Sequence, residues 1–147
     1  MKINLKNGID QLLFGMKQKD VIAIYGKPDR DYKDEDDNVI YAYNKLKMRL
    51  TFYVEEDFKL GYIVASSAEL SLFGHKIINI KITEVKKDLA AKGITKFTQE
   101  EFDTFENYFN EENWIIFQTE FDEVVKFEIG AIINQKDEFD WKFPVKK

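Results

Sequence analysis

Hydrophobic and polar residues alternate in two segments of the chain, and each segment follows a short amphipathic run. In the first run, 13–29, Val21, Ile24 and Tyr25 fall at i, i+3 and i+4, so they share one helical face, while Lys17, Lys19 and Asp20 face water. Gly26 stands where a helix ends, and Pro28 blocks its continuation. Strands are predicted over 39–44, 47–54 and 60–66. Val39, Tyr41 and Tyr43 share one face, as do Met48, Leu50, Phe52 and Val54, and the short polar connections suit antiparallel hairpins. Before them, 1–8 reads as a leader or edge strand with a turn at Asn7-Gly8, and 29–38 as a polar acidic loop.

The second half follows the same plan. Leu72-Phe73-Gly74 echoes Leu13-Phe14-Gly15, and a helix is predicted over 84–92 with Thr83 as N-cap, Val85 and Leu89 inward and Gly93 as stop. Strands are predicted over 105–110, 114–119 and 124–132. Gly26 and Gly93, Tyr43 and Phe109, and Val64 and Ile129 recur at offsets of 67, 66 and 65 residues, while the Leu-Phe-Gly pair is 59 apart because the second copy has extra residues before its helix. Together these point to two units, 1–70 and 71–147. The expected fold is therefore α+β: two tandem helix-plus-three-stranded-antiparallel-meander units forming one sheet, with the helices packed on one face. Thr98-Gln99-Glu100-Glu101 has the capping-box pattern and predicts an extra helical turn. Phe139, Trp141 and Phe143 alternate in the tail 137–147, which predicts a closing strand ended by Pro144.

Composition narrows the chemistry. The 147 residues suffice for one well-cored domain or two small fused units, and 44% hydrophobic with only 7 Gly and 2 Pro argues for order. A net charge of −5 argues against non-specific nucleic-acid binding and suits a basic protein partner. The absence of cysteine excludes disulfides, thiolate metal sites and a cysteine nucleophile. With no apolar run long enough for a signal peptide or membrane span, the expectation is a cytoplasmic protein with no membrane association and no cofactor. His75 is the single histidine and reads as a polar loop residue; Ser66-Ser67 lacks the setting of a nucleophile. The carboxylates of 29–37 lack the glycine and terminal glutamate of an EF-hand loop and read as solvated. Neither Gly74-His75-Lys76 nor Gly26-Lys27-Pro28 has the glycine spacing of a phosphate loop. No reading of these residues assigns an enzyme.

Two features point to binding. Acidic residues gather at expected turns: Asp34 to Asp37, Glu55, Glu56 and Asp57, Glu111 and Glu112, and Asp122 and Glu123. Such turns either solvate hairpins or form rims that steer a basic protein. The aromatics Tyr32, Tyr41, Tyr43, Tyr53, Tyr62, Tyr108 and Trp114 exceed what a small core requires, and a sheet with helices on one face leaves the other free for them. Packing beneath the helices is the alternative.

Gly15-Met16, Val21 and Gly26-Lys27-Pro28-Asp29 together resemble the signature of the BamE (SmpA/OmlA) family, and the helix-plus-meander unit used twice resembles the β-lactamase inhibitory proteins. Lys17 stands where that signature has serine or threonine, the lipoprotein cysteine is missing, and the second unit lacks the GxPD. The resemblance implies a protein-binding module, here an inhibitor or immunity-type protein that occludes a toxin or enzyme through its sheet face and acidic loops. The contact residues it suggests are Tyr41, Tyr43, Tyr53, Trp114, Glu55, Glu56, Asp57, Glu111 and Glu112. A non-inhibitory scaffold and a small-ligand binder are the other readings.

Overall fold

A computed structural model describes residues 1–144. Its centre is one eight-stranded antiparallel sheet. The first half supplies β3 (Arg30–Lys33), β4 (Val39–Tyr43), β5 (Met48–Tyr53) and β6 (Lys59–Ala65), preceded by two short strands, β1 (Ile3–Asn4) and β2 (Gly8–Ile9), and the helix α1 (Gln18–Tyr25). The small hairpin β7 (Ser71–Leu72) and β8 (His75–Lys76) leads into α2 (Ile82–Ala90). Then come β9 (Thr98–Glu101), β10 (Glu106–Asn110), β11 (Ile115–Glu120) and β12 (Glu123–Gly130). The order across the sheet is β3-β4-β5-β6-β12-β11-β10-β9, so β6 and β12 form the seam between the halves.

This corrects the expected α+β plan of two helix-plus-three-stranded-meander units. The fold is predominantly β: the helices are only 8 and 9 residues long, and the sheet has two more strands than expected. The tandem-repeat, BamE-like description falls with that plan. Both unexpected strands are edges, β3 in the segment read as an acidic loop and β9 in the segment read as a capping box. β9 is exposed at all four positions and β3 at three of four. An edge strand with charged residues resists pairing with other chains, and it carries no hydrophobic alternation to reveal it. The tail forms no strand either; within 137–144 its sheet-like contact is a single bridge between Ile133 and Phe139, and 145–147 lie outside the described residues.

The helices begin and end for local reasons. α1 has Lys17 as N-cap, and Asp20 Oδ2 accepts the Lys17 backbone N–H at 2.9 Å, so the first-turn carboxylate ties down the N-cap residue and complements the helix dipole although Lys17 supplies no capping side chain. Gly26 ends it with φ 77°. α2 starts two residues earlier than expected, with Lys81 rather than Thr83 as N-cap. Val21, Val85 and Leu89 are buried against one face of the sheet, with Leu50, Phe52, Ile63, Phe117, Phe127 and Ile129 in the same core. The N-terminal segment adds Ile3, Ile9, Leu12 and Phe14 to that core. Among the described residues no helix is long and apolar enough to cross a membrane.

Candidate functional site

The second face of the sheet carries no helix. Register defines it residue by residue: Thr98, Phe109, Ile116, Glu128, Val64, Arg49, Ala42 and Arg30 are successive cross-strand partners from one edge to the other. A second row runs Gly130, Tyr62, Thr51, Ile40, Tyr32. Side chains of one row share a face because the pleat has period two.

Two glycines in these strands make room for aromatic rings. A Cβ on Gly61 would lie 2.0 Å from Tyr53 Cε2, and one on Gly130 would lie 2.3 Å from Trp114 Cδ1 and 3.1 Å from Tyr62 Cδ1. Tyr53, Tyr62 and Trp114 therefore rest directly on backbone, and Phe109 meets Trp114 edge-on at 5.0 Å between ring centroids. These residues and Ile116 line a cleft of about 490 Å³ that also reaches Thr98 and Glu100 on β9. Tyr53 reaches this cleft from β5 because its ring crosses Gly61 on β6. Trp114, 40% exposed and at φ 50°, presents its ring to solvent.

Polar groups tie the cleft to the sheet. The Tyr62 hydroxyl donates to Glu128 Oε1 at 2.6 Å, and burial followed by this carboxylate pushes the phenol pKa up. Burial also raises Tyr53 to about 12. Asn107 lines the cleft, and its buried Oδ1 accepts no hydrogen bond from the described residues. The Gly130→Ala variant is expected to displace Trp114 from its seat and lose about 1–3 kcal/mol by overpacking. A red shift of tryptophan emission with a lowered denaturation midpoint checks this; an unchanged spectrum would mean the ring is not held there.

The sequence-derived contact residues divide between the two faces. Tyr53 and Trp114 are on the open face. Tyr41 and Tyr43 are not: at 4% and 5% exposure they belong to the core on the covered face, which corrects their assignment to a contact surface. Gln18 Nε2 donates to the Tyr41 hydroxyl, and the Tyr43 hydroxyl donates to the Gly26 carbonyl at 2.8 Å. Their alternation put both on one face without saying which. The acidic residues do gather. Lys33 pairs with Val39, Tyr53 with Lys59, Gly130 with Tyr62 and Ile115 with Ile129, so turns 34–38, 54–58 and 111–114 lie at one end of the sheet. Glu55 and Glu56 border a cleft of about 420 Å³ with Asp36, Tyr53 and Phe139, while Glu111 and Glu112 border another with Phe97 and Phe109. Asp57 binds Lys17 Nζ at 2.5 Å, and that ammonium holds its carboxyl below the usual range. Asp122 and Glu123 sit at the opposite end. Within the acidic loop, Asp34 is engaged by the Asp36 and Asn38 backbone N–H groups, an Asx-type turn.

Sequence reasoning counts Tyr62 among the surplus aromatics without placing it among the contact residues, and it misses Phe109 and the glycines beneath the rings as site elements. An isolated glycine within an alternating strand pattern, as at Gly61 and Gly130, is the available signal for a close approach. The alternation of Phe139, Trp141 and Phe143 predicts a strand; in the structure Phe139 stacks on Trp141 at 4.8 Å and packs 5.8 Å from Tyr53, extending the aromatic surface beyond the sheet.

No family model matches the chain, and no curated protein does. Among solved structures, the fold is similar to part of an extracellular protein containing a SCP domain from Bacillus anthracis str. Ames, with a TM-score of 0.53 at 14% identity. The match covers 79% of this chain and 43% of that one, so it spans less than half of the neighbour. At this identity the likeness concerns the fold alone.

Proposed function

We propose that this chain is a protein-binding module that grips a basic polypeptide on the open face of its sheet. The observation that carries this reading is the aromatic cleft: Tyr53, Tyr62, Phe109 and Trp114 converge on a face that no helix covers, two of the rings held against Gly130. Large rigid rings with little rotamer freedom are the side chains that dominate protein contacts. Carboxylates at 34–37, 55–56 and 111–112 stand at the end of the sheet where this cleft opens, and they attract cationic residues flanking an apolar anchor. The unpartnered Asn107 Oδ1 offers an acceptor to a donor of the bound chain. Occlusion of a toxin or enzyme by this face is the inhibitory form of the proposal; binding without loss of the partner's activity is the scaffold form.

Affinity capture followed by titration against the purified partner tests it. Trp114→Ala is expected to weaken binding about 30-fold or more, as loss of a central aromatic anchor does. Glu55→Gln with Glu56→Gln is expected to slow association with a smaller effect on dissociation. A captured partner whose affinity is unchanged by Trp114→Ala overturns the assignment of this face. Partner activity measured in the same titration separates the inhibitory form from the scaffold form.

A further inference from the structure

At the other end of the open face, toward the β3 edge, lies a cationic patch. A second cleft, of about 340 Å³, is bordered by Arg30, Lys47, Arg49 and Lys126, and no carboxylate side chain lines it. Such a convergence is unexpected in a chain of net charge −5. Arg30 and Arg49 are also the chain's only arginines. They occupy one cross-strand row with Ala42 between them, which sets their Cα atoms about 10 Å apart across a floor with only a methyl group. Among the described residues neither arginine forms an ion pair with a carboxylate. Arg30 lies 4.8 Å from the Tyr32 ring centroid, a contact that orients its guanidinium. Of the nearby carboxylates, Asp29 accepts the Asn44 backbone N–H at 2.7 Å, and Glu128, outside the cleft lining, accepts from Tyr62 and pairs with Lys126 at 3.7 Å. That leaves Arg30, Arg49 and Lys47 as the cations of the cleft without a carboxylate partner among the described residues.

From this geometry we infer that the cleft is a binding site for a small ligand bearing a phosphate or diphosphate group. Guanidinium groups match the oxygens of a phosphate bidentately, while Lys47 and Lys126 supply point charges around it. Binding an anion also relieves the mutual repulsion of Arg30, Arg49 and Lys47, which no carboxylate pairs with among the described residues. The volume is in the range of small-molecule sites. A nucleic acid would need a basic stripe continuing along the face, whereas the row past Val64 turns to Glu128 and then to apolar Ile116 and Phe109. This inference does not depend on the polypeptide reading.

Isothermal titration with inorganic pyrophosphate at low ionic strength tests it on the full chain. One saturable site is expected, weakened about tenfold or more by Arg30→Gln and by Arg49→Gln. Both arginines are exposed, so the variants retain the fold, which a thermal melt verifies. Lys87→Gln, a cation on α2, is expected to leave binding unchanged. No saturation by about 10 mM pyrophosphate, or equal affinity in the arginine variants, overturns the site. A triglutamate peptide that binds the same residues more tightly than pyrophosphate overturns the phosphate assignment in favour of a carboxylate ligand.

Discussion

Raising the pH from below 10 to about 12 is expected to unfold this protein in one cooperative step, with tyrosinate absorbance rising together with the loss of near-ultraviolet circular dichroism. Tyr43, Tyr53 and Tyr108 are each pushed from the usual 10.0 to about 12, and burial is the first cause in every case. Tyr62 is raised as well, by burial and then by its bond to Glu128, and Tyr25 and Tyr41 move the same way. A phenol whose folded value lies above its unfolded value is stabilised in its neutral form. That stabilisation is complete below pH 10 and is lost as the pH rises through the folded value near 12. Each rise to about 12 is worth on the order of 2 kcal/mol, so three together approach the whole stability of a typical domain, about 5–15 kcal/mol. Tyrosinate formation centred near pH 10 with the fold intact would refute the account, because the rings would then be accessible to water.

Phe127→Ala is expected to cost about 3–5 kcal/mol, read as a fall in the urea midpoint. Phe127 is fully buried on β12, packs 5.3 Å from the Phe117 ring and stands opposite Ala65 across the seam. The seam has only four residue pairs, Phe127 with Ala65 through Gly130 with Tyr62. Truncation opens a cavity where the two halves of the sheet are joined, and Ala65 is too small to fill it. Phe121→Ala supplies the contrast. That ring is 100% exposed at the turn between β11 and β12, so its loss is expected to change stability by less than about 0.5 kcal/mol. Equal effects at the two positions would mean that the seam is not a packed junction. The Phe127→Ala variant is also the sharpest probe of whether the halves unfold together.

Much of the interior was legible because alternation reports burial. Met48, Leu50 and Phe52, which alternation sets on one face of β5, are all buried. The helical spacing of Val85 and Leu89 likewise identified buried residues. On β4 all five residues are buried, so alternation could group Tyr41 with Tyr43 but not distinguish core from surface. The edge strands were illegible for the opposite reason: with β9 wholly exposed, Thr98 to Glu101 offered local capping grammar and nothing to oppose it. Pairing with β10 overrode that local preference, since four residues gain more from a ladder than from an isolated helical turn.

The candidate sites follow the same division. That Trp114 and Tyr53 are interface-type side chains, and that acidic residues mark turns, is a property of residue type and position that the chain itself determines. Only the tertiary structure brings turns 34–38, 54–58 and 111–114 to one end of a sheet and sets Arg30 in register with Arg49. It also brings Lys126 to the same cleft from the far half of the chain. The physical reason is that alternation records which residues leave water, a local quantity. Strand order and register are chosen by pairing between segments distant in sequence, which leaves no periodic trace in any one of them.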